Sequence, residues 1–193
     1  RKAPVFTLHK NRKSKREILS GNSSQQLPHV TENYLNVFAK AGFPIDWQTD
    51  SIPNLEYSNP KADEVWEEIK TKSKAAIGFA PLTTFEGKTW PWEKVEELVQ
   101  QLCDHNIQVI LFGGPEDKKA LGKLSANQAL VENLAGRLPF DAEIALMKKL
   151  NAMVSMDSSN MHLATLAGIP VVSIWGATHT LAGFGPLGKN DHL

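Results

Sequence analysis

The sequence predicts an α/β fold in which a parallel sheet carries helices on both faces. From residue 75 onward, short apolar runs that suit buried strands alternate with segments whose apolar residues recur at helical spacing. Strands and helices that alternate at short intervals are typical of right-handed β-α-β crossovers. The 193 residues, 41% of them hydrophobic and 22% charged, suffice for one sizeable buried core.

The elements of this fold follow from the positions of the apolar runs. Five strands are predicted at residues 75–82, 108–112, 131–134, 152–156 and 171–175. Helices are predicted between and after them at residues 91–105, 115–125, 140–150 and 159–167, and Gly168 and Pro170 are suited to end the last one. Two further helices are expected upstream, at residues 30–41 and 61–74, joined by a connecting segment at 46–60.

Charge and cysteine content exclude several classes of protein. Lysine plus arginine and aspartate plus glutamate both number 21, which is unlike a general nucleic-acid-binding protein. Cys103 is the single cysteine, so an internal disulfide and a thiolate zinc site are excluded. The apolar runs are too short for a membrane span. The first 16 residues contain seven basic and no acidic side chains, for which we expect a solvated tail, with contact to anionic lipid or a phosphorylated acceptor as the alternative.

Because the carboxyl ends of parallel strands meet at one edge, the loops that follow the strands carry the functional prediction. After the first strand, Thr83 and Thr84 supply hydroxyls and Lys88 a mobile positive charge beside a helix N-terminus, which favours an anion. A solvated loop in which Thr89 caps the helix is the alternative. The pattern of a Walker phosphate loop is absent.

The loop after the second strand reads Gly113-Gly114-Pro115-Glu116-Asp117. Its glycines permit a tight turn, and one of the two acids is suited to accept hydrogen bonds from ribose hydroxyls. Alternatively, both acids complement the dipole of the next helix. The glycine fingerprint of nicotinamide sites is missing, which disfavours that cofactor.

The loops after the fourth and fifth strands are also polar. Asp157, Ser158, Ser159 and His162 occupy a strand end and the start of a helix, where a diphosphate would meet free N–H groups and hydroxyls. A hydrolase triad of Asp, Ser and His is a weaker interpretation, because no G-x-S-x-G turn is present. A helix cap plus a buried histidine is the structural alternative. Thr178 lies in the loop after the fifth strand.

Three groups of these residues resemble the heptosyltransferase family of glycosyltransferases. They are Thr83-Thr84 with Lys88-x-Trp90-Pro91, the turn Gly113-Gly114-Pro115-Glu116, and Asp157-Ser158 with His162-Leu163-Ala164, followed by Gly168-x-Pro170-Val171-Val172 and Gly176-x-Thr178. The resemblance implies the two-domain GT-B architecture, with this chain holding the Rossmann-like C-terminal half. It also implies transfer of heptose from ADP-heptose to the lipopolysaccharide core, at the cytoplasmic face of the inner membrane of Gram-negative bacteria.

The resemblance assigns roles to individual residues. Thr83, Thr84 and Lys88 match positions that hold the donor phosphates, and Glu116 matches an acid near the adenosine ribose. Asp157, Ser158, Ser159, His162 and Thr178 match the segments around the donor sugar and diphosphate. Lys88 is expected to stabilise the leaving group. No cofactor and no metal are expected, and nucleic acid is not an expected partner.

The resemblance also predicts the domain organisation. Residues 1–45 are expected to be the end of an N-terminal acceptor domain, 46–74 a linker and connecting helix, and 75–193 a donor-binding domain shortened at its C-terminus. The general base is expected in the missing acceptor domain, so this chain alone is expected to be inactive. The family often has glycine at Ser159 and proline at Ala177 and Thr180, so local shape differs there. Two alternatives remain open: a non-catalytic nucleotide- or phosphate-binding module and a sugar-nucleotide epimerase of the same fold.

Overall fold

A computed structural model describes residues 3–46, 58–126 and 128–188 of the chain. The described part contains a five-stranded parallel sheet, as the sequence predicts. Its strands are β1 Ala75–Ala80, β2 Ile107–Leu111, β3 Val131–Asn133, β4 Ala152–Met156 and β5 Val171–Ile174. Each predicted strand lies within two residues of the observed bounds.

Seven α-helices occur in the described residues. They are α1 Arg12–Leu19, α2 Val30–Lys40, α3 Pro60–Ile69, α4 Trp92–Asp104, α5 Lys118–Ser125, α6 Phe140–Met147 and α7 Ser159–Leu166. Short 3-10 turns at Glu86–Lys88, Pro115–Asp117 and Thr180–Ala182 lie in the loops that follow β1, β2 and β5. The predicted connecting segment at 46–60 falls mostly on residues 47–57, outside the described part of the chain.

The helix predicted at residues 61–74 is shorter than expected and ends at Ile69. The next residue, Lys70, is extended, with φ −60° and ψ 136°. Gln108 of β2 explains the end of the helix, because its Nε2 donates a 2.6 Å hydrogen bond to the Ile69 carbonyl. The Gln108 Oε1 accepts from the Thr71 N–H at 3.2 Å, so one buried side chain satisfies both backbone groups at the turn.

Part of the expected solvated tail is a helix, although Lys10, Arg12, Lys13 and Arg16 are exposed to solvent. Residues 12–19 form helix α1, which packs on the Thr180–Ala182 turn. Ile18 is buried, and the Lys15 Nζ lies 3.9 Å from the centre of the Phe184 ring. One buried side chain and one cation over an aromatic ring thus hold the basic segment against the loop that follows β5.

Both faces of the sheet are covered by apolar side chains. On one face, the residues of α3, α6 and α7 form a core around Met153, Ile110 and Phe112. On the other, α4 and α5 pack around Phe79, Val109 and Leu111. No helix in the described residues is long and apolar enough to cross a bilayer.

The order of the strands fixes where a ligand site forms. The order is β3-β2-β1-β4-β5, so the chain first builds outward from β1 toward β3 and then returns to the other side of β1. The loops that follow β1 and β4 therefore separate at the carboxyl edge and leave a crevice between them. Ligands of open α/β sheets bind in such crevices.

Candidate functional site

A cleft of about 580 Å³ opens at this crevice. It is lined by three strand-end loops, through Leu82, Thr83, Thr84, Phe85, Lys88, Gly113, Gly114, Glu116, Asp117, Asp157, Ser158, Ser159 and Asn160. Its volume lies in the range of small-molecule sites. The topology thus brings together three of the loops that the sequence singles out.

The loop after β1 presents Lys88 at the wall of the cleft. The Thr83 hydroxyl donates to the Phe85 carbonyl at 2.7 Å and lies 3.2 Å from the Thr89 hydroxyl, which shapes the loop from within. Thr84 is exposed. Helix α4 begins at Trp92 without a side-chain cap, so the alternative that Thr89 caps this helix is wrong.

Asp157 is the charged centre of the site. Its side chain is only 8% exposed, and its Oδ2 lies 2.8 Å from the Lys88 Nζ. The same oxygen accepts a 2.6 Å hydrogen bond from the Thr178 hydroxyl. Because the carboxylate is almost buried, these two donors compensate for its lost hydration. The ion pair also fixes the Lys88 ammonium between the ends of β1 and β4.

The start of helix α7 faces the cleft with its backbone N–H groups uncapped by a side chain. Ser158 occupies the N-cap position, but its hydroxyl lies 3.1 Å from the Ser155 hydroxyl and makes no capping bond. Ser159 and Asn160 begin the helix and line the cleft. Free N–H groups and the helix dipole make this end suitable for an anion.

The two acids after β2 have different environments. The Gly114 N–H donates to the Asp117 Oδ2 at 2.9 Å, so this carboxylate closes the turn. Glu116 is exposed and lines the cleft. A Cβ at Gly113 would lie 2.8 Å from the Asp117 Oδ2, so the tight turn requires glycine there. Asp117 thus has a structural role, and Glu116 is the acid that a ligand can reach.

His162 is half-buried in the first turns of α7. Its pKa is lowered from the usual 6.5, chiefly because burial disfavours the charged ring. The Asp157 carboxylate opposes this shift and raises the pKa, whereas the positive charges of His29 and Lys88 lower it further. The imidazole thus interacts electrostatically with both members of the Lys88–Asp157 ion pair.

Seven of the nine predicted site residues line the cleft. They are Thr83, Thr84, Lys88, Glu116, Asp157, Ser158 and Ser159. The other two, His162 and Thr178, do not line it, and Thr178 contacts Asp157 instead. Phe85 and Asn160 line the cleft without having been predicted, although each is a sequence neighbour of a predicted residue.

Two other chemistries find no support in the described residues. No hydrogen bond joins His162 to Ser158 or Ser159 there, and Asp157 is paired with Lys88 and Thr178 rather than with the histidine, which contradicts the hydrolase triad. Within the same ranges, no three histidine, cysteine or carboxylate side chains gather as metal ligands.

The fold and the cleft define a class of protein. The chain is a Rossmann-like α/β protein with a ligand cleft at the carboxyl edge of its sheet, where the strand order reverses. A model of glycosyltransferase family 9 (heptosyltransferase) matches residues 8–193. The chain therefore belongs to the glycosyltransferase family 9 of heptosyltransferases.

Individual relatives agree with this assignment. Lipopolysaccharide heptosyltransferase 2 of Escherichia coli is 33% identical over 131 residues, which cover 64% of this chain and 38% of the relative. Lipooligosaccharide heptosyltransferase 2 of Haemophilus influenzae is 31% identical over 174 residues, covering 81% and 49%. The chain thus spans less than half the length of these curated relatives.

Solved structures confirm the fold. E. coli ADP-heptose lps heptosyltransferase II matches with a TM-score of 0.57 and 31% identity, over 68% of this chain and 40% of that one. E. coli heptosyltransferase WaaC with ADP matches with a TM-score of 0.63 and 25% identity, over 88% and 50%. The prediction of a Rossmann-like α/β fold, as found in GT-B heptosyltransferases, is confirmed.

Proposed function

We propose that this chain is the donor-binding part of an inverting glycosyltransferase that transfers heptose from ADP-heptose to the lipopolysaccharide core. Family membership supports the reaction class, since the matched relatives are named as lipopolysaccharide or lipooligosaccharide heptosyltransferases. One related structure contains ADP and another ADP-2-deoxy-2-fluoro heptose, which supports an ADP-sugar as the donor. The observation that carries the proposal is the Lys88 ammonium, held 2.8 Å from Asp157 beside the uncapped start of α7.

In the proposed reaction, negative charge develops on the diphosphate, which we assign to the position next to Lys88 and the start of α7. A base deprotonates the acceptor hydroxyl, whose oxygen forms a bond to the anomeric carbon from the face opposite the leaving group. The bond from that carbon to the diphosphate oxygen breaks, and its electron pair leaves with the ADP. Lys88 and the N–H groups of α7 stabilise that negative charge, and their fixed positions remove the cost of reorientation. The base belongs to the acceptor domain, which we assign to the part of the enzyme outside this chain.

The remaining residues of the cleft have proposed roles in binding the donor. Thr84 and Ser159 are exposed, with hydroxyls that we assign to the diphosphate. Glu116 is positioned to accept hydrogen bonds from ribose hydroxyls. Thr83 and Ser158 shape their loops through internal contacts, and Asp157 orients Lys88. His162 does not line the cleft, and we assign it a supporting role through its electrostatic interaction with Asp157.

The basic residues of α1 suggest how the enzyme approaches its acceptor. Arg12, Lys13 and Arg16 are exposed along the helix, next to exposed Lys10. We assign them to the phosphates of the lipopolysaccharide core or of anionic lipid, and we propose the cytoplasmic face of the inner membrane as the location of the enzyme. Neither a non-catalytic module nor an epimerase is favoured by membership of a family whose curated members transfer heptose.

The test is calorimetric titration of the purified chain with ADP. Lys88→Ala should lower the affinity about tenfold or more, the effect of losing one charge-assisted hydrogen bond. Lys94→Ala is the matched control, because Lys94 is an exposed lysine of α4 that pairs with Glu97. Equal affinity in the wild type and the Lys88 variant would contradict the proposal.

An activity assay separates the reaction classes. The complete enzyme is incubated with acceptor and with ADP-heptose that carries a labelled sugar. Transfer moves the label to the acceptor, whereas an epimerase leaves it in an altered nucleotide sugar. A binding module leaves the donor unchanged, and either of these last two results would overturn the proposed reaction.

A further inference from the structure

Gly176, just after β5, lies against the loop that carries Lys88. A Cβ at position 176 would lie 2.6 Å from the Gly87 carbonyl oxygen and 3.3 Å from the Lys88 Cα. Both of these atoms belong to the backbone, so neither can move aside as the end of a flexible side chain can. Only glycine fits at this position without displacing the loop.

The two residues that follow Gly176 bind the same region. The Ala177 N–H donates a 2.8 Å hydrogen bond to the Gly87 carbonyl. The Thr178 hydroxyl donates to the Asp157 Oδ2, the oxygen that also pairs with Lys88. Three consecutive residues therefore contact the backbone beside Lys88 and the carboxylate that holds its ammonium. We refer to Gly176, Ala177 and Thr178 as the β5 strap.

We propose that Gly176 is a positioning residue for Lys88, because it lets the β5 strap approach closely enough to fix the Lys88 loop. Lys88 sits on a three-residue 3-10 turn, which by itself is a weak support for a side chain that must meet a diphosphate at one place. The strap, which follows β5, gives that turn a partner from another part of the chain. The part of this inference that concerns nucleotide binding rests on the proposed function.

The first test follows Lys88 itself and needs no nucleotide. Both lysines are ion-paired, but Lys88 is only 25% exposed and its partner Asp157 8%, whereas Lys94 is 57% exposed and its partner Glu97 51%. Acylation of the purified chain by an amine-reactive ester, followed by mass spectrometry, should therefore modify Lys88 more slowly than Lys94. Gly176→Ala should raise the rate at Lys88 toward that of Lys94 and leave Lys94 unchanged.

The matched control is Gly122→Ala, in helix α5. A Cβ at position 122 meets only the Asn133 Nδ2, at an ordinary distance of 3.7 Å. This variant should keep the slow labelling of Lys88. Gly87→Ala is a milder change to the same contact, with its Cβ 3.3 Å from that of Ala177, and it serves if Gly176→Ala does not fold.

The second test uses nucleotides that differ by one phosphate. Gly176→Ala should weaken ADP binding about tenfold and AMP binding much less, because the loss concerns a single charged contact at the diphosphate. In a Lys88→Ala background, the Gly176 substitution should cause no further loss of ADP affinity, since its effect passes through Lys88.

Each outcome decides one of the two proposals. Unchanged labelling of Lys88, unchanged ADP affinity, or equal losses for ADP and AMP would overturn the positioning role of Gly176. If the wild-type chain binds neither nucleotide, the proposed function is wrong, and the labelling experiment alone decides whether Gly176 positions Lys88.

Discussion

At the scale of single residues, the site depends on a nearly buried carboxylate that has two donors on one oxygen. Removal of either partner of such a pair leaves the other charge poorly solvated, so its substitutions affect stability as well as binding. The side chain of Asp157 is 8% exposed and that of Lys88 is 25% exposed. The loss of stability is therefore larger when Asp157 is the charge that is left unpaired. Lys88→Ala is therefore expected to lower the free energy of unfolding as well as the affinity for ADP, because it leaves the nearly buried Asp157 without its cation.

His162 should make the stability of the protein depend on pH. Burial lowers the pKa of the folded-state imidazole below 6.5, so the unfolded chain takes up a proton more readily as the pH falls. The stability contributed by neutral His162 is therefore complete above about pH 6.5 and is lost on acidification through the interval down to the folded-state pKa. His162→Gln should lose less stability than the wild type between pH 7.5 and pH 5.5.

The measurement is urea unfolding of both proteins across this pH range. Above the interval, the two stability curves should run parallel, which provides the internal control. Curves that stay parallel through the acidic range would show that His162 contributes nothing to the pH dependence.

At the scale of secondary-structure elements, the accuracy of the sequence prediction varies with how much apolar surface an element carries. The strands contain short apolar runs, of which β1 and β2 are buried along most of their length, and the bounds predicted for β4 are the observed ones. Helix α1 was missed because its apolar residues, Ile18 and Leu19, are neighbours at its end and show no helical period, and only Ile18 is buried.

The sequence predicts a residue of the site correctly where the end of a strand alone determines its position. Seven lie in the cleft because a parallel sheet brings its carboxyl ends to one edge. The contact of Thr178 with Asp157 depends on the path of the loop after β5, which no sequence period specifies. The division of roles between Glu116 and Asp117 likewise depends on the geometry of the Gly114 turn.

Helix α1 should direct the protein to anionic surfaces. Arg12→Glu combined with Lys13→Glu reverses two exposed charges, and each basic side chain near an anionic membrane contributes about 1 kcal/mol. The double variant should therefore lose most of its co-sedimentation with phosphatidylglycerol vesicles at low salt.

The matched control is Lys119→Glu combined with Lys123→Glu, which makes the same charge change at exposed positions of α5. Equal loss in both double variants would show that net charge, and not helix α1, determines the binding. Absence of wild-type binding at low salt would contradict the assignment of α1 to lipid phosphates.

At the scale of the whole molecule, the central strand β1 joins the two cores into one cooperative unit. Gly78 lies in this strand, and a Cβ there would collide with Met153, Leu150 and Phe112, all of which are buried in the core beneath α3 and α6. Gly78→Ala should therefore overpack one face and destabilise the protein by about 1–3 kcal/mol.

If the sheet couples the two cores, the loss of stability caused by Gly78→Ala should be the same for helices on both faces. Hydrogen exchange followed by mass spectrometry should show α6, on the overpacked face, and α4, on the opposite face, losing the same free energy of protection. The control is Gly122→Ala in α5, whose added Cβ fits without a collision. This variant should leave the protection of α4 and α6 unchanged. Faster exchange of α6 alone would mean that the two cores unfold independently. In that case β1 does not join them into one cooperative unit.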